Sequence, residues 1–235
     1  MTKTKKVLMI CLFVLLGIVL LGLLIWGGFH IALQNANWGY AKTVSHQEEA
    51  LRNQVVTTAE TWLGRNEADG SHRSIIDLYN SHTPLARGYA VTYEDSWCAT
   101  FCSVVSIQLE LTQIIPTECG CERQIELFSE LGRWVEDDGY VPLPGDLIYY
   151  SSSDLGVGDC TKWSDHVGIV VGTWGPFIKV IEGNYEDQVT YRILTVNSKG
   201  IRGYGIPDYE SIAKRNGVPS GTPFLFYFAR KPTFL

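Results

Sequence analysis

The stretch DHVGIVVGTWGPFIKVIEGNY, residues 165–185, contains two runs of β-branched and aromatic residues separated by the turn residues Gly175 and Pro176. Such a composition is typical of β-strands, and so short a separation predicts a hairpin. Similar runs bounded by turn residues occupy residues 144–151, 189–196 and 223–230. The second half of the chain is therefore predicted to form an antiparallel sheet from consecutive strands.

The first half of the chain after residue 44 has helical periodicity instead. Ser45 and Glu48 are spaced as a capping box, and apolar residues then recur at helical intervals as far as Gly64, which is placed to end the helix. Further helices are predicted over residues 74–79, 97–112 and 121–135. Helices followed by strands predict the α+β class, with N-terminal helices packed on an antiparallel β-sheet.

The N-terminus, MTKTKKVLMICLFVLLGIVLLGLLIWGGFHIAL, begins with lysines and continues as an uncharged apolar run over residues 7–29. This run is long enough to span a membrane and exceeds the apolar region of a signal peptide. We therefore expect an uncleaved transmembrane signal anchor, with a cleaved signal peptide as the alternative. Because the lysines precede the run, the positive-inside rule predicts that residues 1–6 are cytoplasmic and that the rest of the chain lies outside.

Length and composition are those of one folded domain with attachments, since 235 residues with 46% apolar composition can bury one sizeable core. We assign residues 30–44 to a stalk, residues 45–210 to the domain, and residues 211–235 to a C-terminal extension whose final apolar run is predicted to form an edge strand. The net charge of −6 argues against binding nucleic acid, which requires a basic face.

The segment DSWCATFC, residues 95–102, places a cysteine near the start of the helix predicted over residues 97–112, with Asp95 or Ser96 as the expected N-cap. In the first turn of a helix, unpaired N–H groups and the helix dipole favour the thiolate, and a backbone N–H can also donate to an oxyanion. Cys98 is therefore a candidate nucleophile. The alternative is a small buried side chain without a chemical role.

His166 is the candidate base for this thiolate. It is the first residue of a predicted apolar strand, where a histidine disturbs the alternation of side chains along the strand. Glu182 and Asn184 lie on the next predicted strand, and positions i and i+2 share one face of a strand. A short hairpin would bring one of them beside the imidazole, where it could fix the tautomer. A His–Glu hydrogen bond at the end of the sheet, without catalytic meaning, is the alternative.

The segments SWCATF, PGDLIYY, DHVGIV and IEGN occur in this order and are followed by IRGYGIPDY. With them the chain resembles a CHAP domain, a member of the cysteine- and histidine-dependent amidohydrolase/peptidase family related to papain-like and NlpC-type cell-wall hydrolases. The resemblance covers about residues 45–210 and implies the papain-like fold of that family.

The resemblance also implies a role for each residue that its motifs match. Cys98 would be the nucleophile and His166 the general base and later the general acid. Glu182 would orient His166, and Asn184 would be an auxiliary polar partner. Asp146, in the PGDL segment, matches a family motif too, and we expect it to have a structural role in a turn.

The function implied by the resemblance is that of a membrane-anchored, extracytoplasmic peptidoglycan hydrolase of a bacterial cell membrane. It would be either an N-acetylmuramoyl-L-alanine amidase or an endopeptidase, and it would need no metal or other cofactor. Its expected partners are peptidoglycan and, through residues 7–29, the membrane. Two alternatives stay open: a catalytically silent wall-binding or assembly module, and a cysteine protease that processes proteins.

Aromatic residues near the candidate site in the sequence could line a substrate groove, although core packing explains such residues equally well. These residues are Trp97, Trp163 and Tyr185.

Five cysteines follow the apolar run, an odd number, so at least one thiol stays free or pairs with another chain. Cys102, one helical turn after Cys98, is expected to be a packed side chain. A disulfide between Cys160 and the segment of Cys119 and Cys121 is open. A zinc site made by the cysteines at 98, 102, 119 and 121 is disfavoured, because their spacing does not match the common paired arrangement.

Overall fold

The computed structural model describes residues 3–156 and 159–215, with side chains described from residue 11 onward. The chain divides into two units between Trp38 and Gly39. The first unit contains helix α1, Lys3–Gln34. Its segment Cys11–Gln34, with a mean hydropathy of 2.6, is long and apolar enough to cross a membrane. The helix thus extends beyond the apolar run at residues 7–29 into the segment expected to be a stalk.

The second unit is an α+β domain, as the sequence predicts. Its helices are α2 (His46–Glu60), α3 (Arg73–Ser81), α4 (Cys98–Gln108), α5 (Cys121–Glu130) and α6 (Tyr209–Arg215). Its strands are β1 (Trp134–Val135), β2 (Leu147–Tyr150), β3 (His166–Trp174), β4 (Phe177–Tyr185), β5 (Gln188–Thr195) and β6 (Ile201–Gly205). Within the described residues they form one six-stranded sheet in the order β1-β6-β2-β3-β4-β5, with every neighbouring pair antiparallel.

Two helices end earlier than the sequence predicts, and strand β1 lies within residues 121–135, which were expected to be helical. The helix predicted over residues 121–135 ends at Glu130, because Gly132 adopts a left-handed conformation (φ 65°) that stops it. The helix predicted over residues 97–112 ends at Gln108. Strand β6 was not predicted from its glycine-rich sequence, IRGYG. The strand predicted over residues 223–230 lies outside the described residues, and helix α6 occupies the start of the extension assigned to residues 211–235.

Helix α4 is buried along most of its length, from Cys98 to Ser106. It packs against β3 and β4 on one side and against α2 and α3 on the other. A helix enclosed in this way carries no charged side chain, and its buried Ser103 and Ser106 donate to the backbone carbonyls of Glu118 and Ile115. Its position between the other helices and the sheet makes α4 the centre of the domain core.

The start of α4 lies directly against the backbone of β4. A Cβ atom at Gly183 would be 2.5 Å from Cβ of Phe101 and 2.9 Å from the ring of Trp97. On β3, a Cβ atom at Gly168 would be 2.6 Å from Cγ of Glu182. Only glycine leaves room for these contacts, so the two glycines determine how closely α4 approaches the sheet and where the Glu182 side chain lies.

A buried ion pair joins α2 to the turn before β2. Arg52 donates hydrogen bonds of 2.8 Å to Asp146 and 2.9 Å to the carbonyl of Pro144. The other carboxylate oxygen of Asp146 accepts the backbone N–H of Leu143 at 2.9 Å. These bonds agree with the structural turn role expected of Asp146. The capping box is half formed, because Ser45 accepts the N–H of Glu48 while the Glu48 carboxylate binds Arg52.

Replacing Gly183 with alanine should destabilise the domain, because the added methyl group would overlap Phe101 and Trp97. Overpacking of this kind costs about 1–3 kcal/mol. The measurement is urea unfolding of the full-length protein in detergent. Gly39→Ala is the matched control, because no described heavy atom lies within 4 Å of a Cβ atom there. Equal stability of the two variants would contradict the close approach of α4 to β4.

Candidate active site

Cys98 is the first residue of α4 and its side chain is buried, with only 4% of the residue exposed. The expected capping by Asp95 or Ser96 is wrong. The N-cap residue is Trp97, and among the described side chains none caps this helix start. Asp95 instead accepts the N–H of Thr92 at 2.7 Å and the hydroxyl of Tyr89 at 2.8 Å. The carboxylate stabilises the preceding turn and leaves the first N–H groups of α4 to other acceptors.

His166 is the first residue of β3 and faces both Cys98 and Glu182. Its Nε2 atom lies 3.1 Å from Oε2 of Glu182. Because Nε2 is occupied there, Nδ1 is the ring nitrogen available for the interaction with Cys98. The imidazole also stacks on Tyr150, with ring centroids 5.8 Å apart. The ring is therefore fixed by a carboxylate at one nitrogen and by an aromatic face.

Glu182 is fully buried and is held from two sides. Its Oε2 atom binds His166, and its Oε1 atom accepts a hydrogen bond of 3.0 Å from Nε of Arg192. The guanidinium of Arg192 lies over the rings of Tyr150 and Tyr185, at 4.0 and 4.9 Å from their centroids. The buried carboxylate thus has cationic partners on both oxygens, as a buried charge requires.

Arg192 is a member of this site that the sequence analysis missed. In the β4–β5 pairing Thr190 lies opposite Glu182, so Arg192, two residues farther, projects from the same face of the sheet. The hairpin register predicted from the short turn between these strands could have identified it. Glu67, at the loop after α2, and Cys121 were also missed, because neither is near the site in sequence.

The charges of the site favour a thiolate paired with an imidazolium. Hydrogen bonds from Cys121 and from His166 lower the pKa of Cys98 well below its usual value, although burial opposes this. Burial would lower the pKa of His166, but its hydrogen bonds to Cys98 and Glu182 and their negative charges raise it to about 9. Both shifts favour the state in which the sulfur is deprotonated and the ring protonated. This is the reactive form of a cysteine nucleophile.

Asn184 lies apart from His166. Its Oδ1 atom accepts the backbone N–H of Trp97 at 3.3 Å, and its Nδ2 atom donates to Glu67 at 2.9 Å. The expected sharing of one strand face by Glu182 and Asn184 is wrong, because Asn184 has a left-handed backbone (φ 56°) and the β4–β5 register shifts there. The structure therefore brings together Cys98, His166 and Glu182 and places Asn184 at the entry to α4.

A cleft of about 350 Å³ opens beside His166. Of the three aromatic residues considered for a groove, Tyr185 lines this cleft. Trp97 is 0% exposed, and its indole N–H donates to Glu67, so it is a core residue. Trp163 is 71% exposed and does not line the cleft. The lining residues are Tyr150, Ser151, Ser152, Asp154, Asp165, His166, Tyr185, Arg192, Lys199 and Gly200.

A second cleft, of about 450 Å³, lies beside Ser96 and Cys119. Ser96 is two residues before Cys98, and Cys119 is two residues before Cys121, so this cleft adjoins the starts of α4 and α5. Cys98 itself is not among the described residues that line either cleft.

The remaining cysteines do not form the pairings considered from sequence. All six cysteines lie in the described part of the chain, and each is a free thiol. The suggested disulfide between Cys160 and the segment of Cys119 and Cys121 is therefore not formed. Within residues 11–156 and 159–215, no group of three or more His, Cys, Asp or Glu side chains is arranged to hold a metal ion. Cys102 is fully buried in the core, as expected of a packed side chain.

Comparison with known proteins gives little similarity. No protein-family model matches the chain, and no curated protein matches it. Among solved structures, the chain is similar to "The crystal structure of Ly7917", with a TM-score of 0.39 and 13% sequence identity over 66% of this chain and 62% of that chain. The chain thus spans less than two thirds of the length of that structure.

The alkylation rate of Cys98 should remain high at pH values where an ordinary thiol is protonated, because its pKa is lowered. His166→Ala should shift the midpoint of the rate profile to higher pH, since the variant loses the imidazolium that stabilises the thiolate. The measurement is iodoacetamide labelling followed by mass spectrometry of the Cys98 peptide. His46→Ala, which removes an exposed histidine on α2, is the control. An unchanged midpoint in His166→Ala would contradict the ion pair.

Proposed function

We propose that this chain is a membrane-anchored cysteine amidase or peptidase that hydrolyses amide bonds in peptidoglycan. The observation that carries the proposal is the Cys98–His166–Glu182 arrangement, in which a thiolate at a helix start meets an imidazole held by a buried carboxylate. Such a set of nucleophile, base and orienting group is what nucleophilic catalysis of acyl transfer requires. The arrangement occurs on an α+β domain and agrees with the roles implied by the resemblance to CHAP domains.

The reaction begins with the resting ion pair. The Cys98 thiolate attacks the amide carbonyl carbon, and the carbonyl oxygen becomes an oxyanion. The His166 imidazolium donates its proton to the leaving amine as the C–N bond breaks. Neutral His166 then takes a proton from water, which attacks the thioester and releases the acid and the Cys98 sulfur. Glu182 keeps the ring oriented and stabilises its positive charge, and Arg192 acts through Glu182 as a positioning residue.

The backbone at the start of α4 supplies stabilisation of the oxyanion. The side chain of the N-cap residue, Trp97, makes no capping hydrogen bond, and the backbone N–H of Ala99 interacts with the Cys98 sulfur, so this N–H lies beside the attacking atom. Donors fixed before the reaction stabilise developing charge without reorganising, which is worth several kcal/mol in known hydrolases. The helix dipole adds to this effect, because its positive end lies at the same place.

The substrate class is supported by the charges around the His166 cleft. Arg192 and Lys199 line it together with Asp154 and Asp165. A peptide that carries both carboxylates and free amines would find partners for both, and the stem peptides of peptidoglycan have this character. The N-terminal helix supports attachment to a membrane, and the lysines before its apolar segment favour an extracytoplasmic domain.

The proposal is tested with the full-length protein in detergent and purified peptidoglycan. The wild-type protein should release new primary amines but no reducing sugar ends, because an amide bond is cut. Cys98→Ala should reduce the rate by at least about a thousandfold, as the loss of a nucleophile does in known hydrolases. Cys102→Ala, which removes a buried thiol one helical turn away, is the matched control and should retain most of the activity.

Product masses identify the bond that is cut. Release of intact stem peptides from the glycan would indicate an N-acetylmuramoyl-L-alanine amidase, and shortened peptides would indicate an endopeptidase. Equal amine release by wild type and Cys98→Ala would overturn the cysteine mechanism. Cleavage of an unfolded protein substrate with intact peptidoglycan would identify a protein-processing protease instead.

Glu182→Gln should reduce the rate of amide hydrolysis by about 10²–10⁴-fold, because the His166 imidazolium loses its charged partner. The rate of the wild-type enzyme should also fall as pH rises through the His166 pKa of about 9, because the ring loses the proton that the leaving amine needs. Glu60→Gln is the control, since Glu60 accepts the hydroxyl of Tyr191 on the adjacent strand and does not contact His166. Similar rates for both variants would contradict the role of Glu182.

A further inference from the structure

The sulfur of Cys98 has a second sulfur beside it. The Sγ atoms of Cys98 and Cys121 are 3.6 Å apart, although 23 residues separate them in sequence. Each cysteine is the first residue of its helix, Cys98 of α4 and Cys121 of α5. A disulfide bond needs a separation of about 2.05 Å, so an approach of about 1.5 Å would join the two atoms.

The two thiols differ in their state of protonation. The hydrogen bond between them lowers the pKa of Cys98 and raises the pKa of Cys121, and burial raises the latter further. Of the two sulfurs, 3.6 Å apart, Cys98 is therefore favoured as the thiolate and acceptor and Cys121 as the thiol and donor. A thiolate is the form that oxidants attack, and a neighbouring thiol is what converts an oxidised sulfur into a disulfide.

The other cysteines of the domain are not placed in this way. Cys119 directs its sulfur toward Arg87 and Glu118, each at 3.5 Å. Cys102 is on the same helix as Cys98 and fully buried, and Cys160 is buried in the loop before β3. Amide hydrolysis uses a single thiolate, so the mechanism gives Cys121 no step of its own. The pairing with Cys98 is what distinguishes Cys121.

We propose that Cys98 and Cys121 form a reversible disulfide that blocks the nucleophile, so that the enzyme is active when reduced and inactive when oxidised. This inference rests on the proposed function and adds regulation to the same site. The oxidant we infer is a small peroxide, because both cysteines are buried, with 4% and 8% of their surface exposed. An extracytoplasmic domain is exposed to oxidants and lacks the reducing systems of the cytosol.

The oxidation proceeds in two balanced steps. The Cys98 thiolate attacks one oxygen of hydrogen peroxide, the O–O bond breaks, and hydroxide leaves, so that the sulfur is oxidised by two electrons to a sulfenic acid. The Cys121 sulfur then attacks the Cys98 sulfur, forming the S–S bond and releasing the sulfenic oxygen as hydroxide. The proton of the Cys121 thiol converts that hydroxide to water. A dithiol reductant reverses the result by exchange.

The experiment maps the thiols of the full-length protein in detergent before and after hydrogen peroxide. Cleavage after glutamate separates residues 95–110, which contain Cys98 and Cys102, from residues 119–122, which contain Cys119 and Cys121. Peroxide should produce a cross-linked pair of these peptides. Labelling of Cys98 by iodoacetamide should fall at least tenfold and return after dithiothreitol.

Because each linked peptide contains two cysteines, single-cysteine variants identify which two sulfurs form the disulfide bond. Cys119→Ser and Cys102→Ser should cross-link as the wild type does, whereas Cys121→Ser should not. In Cys121→Ser the Cys98 sulfur should instead reach the sulfinic acid, which dithiothreitol does not reverse. A cross-link that persists in Cys121→Ser would overturn the proposal. So would conversion of wild-type Cys98 to the sulfinic acid without any cross-link, a result that depends on no variant folding.

The outcomes separate this inference from the proposed function, because the peptide map and the labelling need no substrate. Cross-linking in a protein that does not cut peptidoglycan would refute the hydrolase and retain the thiol pair. Peptidoglycan hydrolysis that is unaffected by peroxide, with no linked peptides, would refute the disulfide and retain the hydrolase.

Discussion

The contact between α4 and β4 at Gly183 determines the geometry of the whole site. Phe101 and Trp97 lie against a strand backbone that has no side chain at that position. Trp97 directly precedes Cys98, and Gly183 directly follows Glu182, the carboxylate that holds His166. The residues that form the packing contact are thus the sequence neighbours of Cys98 on α4 and of Glu182 on β4. A shift of the helix relative to the sheet would therefore move Cys98 relative to Glu182 by a similar amount, and positioning errors of about 1 Å can cost large factors in rate.

Several hydrogen bonds from neighbouring elements fix the position of the start of α4. Glu67 accepts hydrogen bonds from the Trp97 indole and from Asn184, each at 2.9 Å, and Asn184 in turn accepts the Trp97 backbone N–H. On the other side, Glu122 in the first turn of α5 accepts the N–H of Ser164, two residues before His166. The entry to α4, the entry to α5 and the ends of β3 and β4 are thereby joined by side chains that do not take part in the chemistry. Within this network Asn184 binds the backbone of Trp97, the residue before Cys98.

The sequence predicts the parts of this protein that depend on repeated local patterns. The hairpin at residues 165–185, the Ser45 cap and the α+β class follow from side-chain alternation, turn residues and helical spacing, and the structure confirms them. Strand β6 escaped prediction because two glycines leave its sequence without a pattern. Asn184 was misplaced because a single left-handed residue reverses the face of a strand. Arg192 follows from the register of the β4–β5 hairpin, whereas Glu67 and Cys121 reach the site only through tertiary packing, which a local pattern does not contain.

The start of α4 lacks a side-chain cap, which lowers the stability of the helix and, under the proposed mechanism, leaves N–H donors available for the reaction. A serine or aspartate bonded to the first turn of a helix typically adds about 1 kcal/mol to its stability. Here Asp95 binds the preceding turn instead, and the side chain of Trp97, the N-cap residue, makes no capping hydrogen bond. We therefore expect α4 to be less stable, by a similar free energy, than the same helix with a capping side chain. Under the proposed mechanism, a capping side chain added here would compete with the oxyanion for the same N–H donors, so stability and activity could not be improved independently at this helix start.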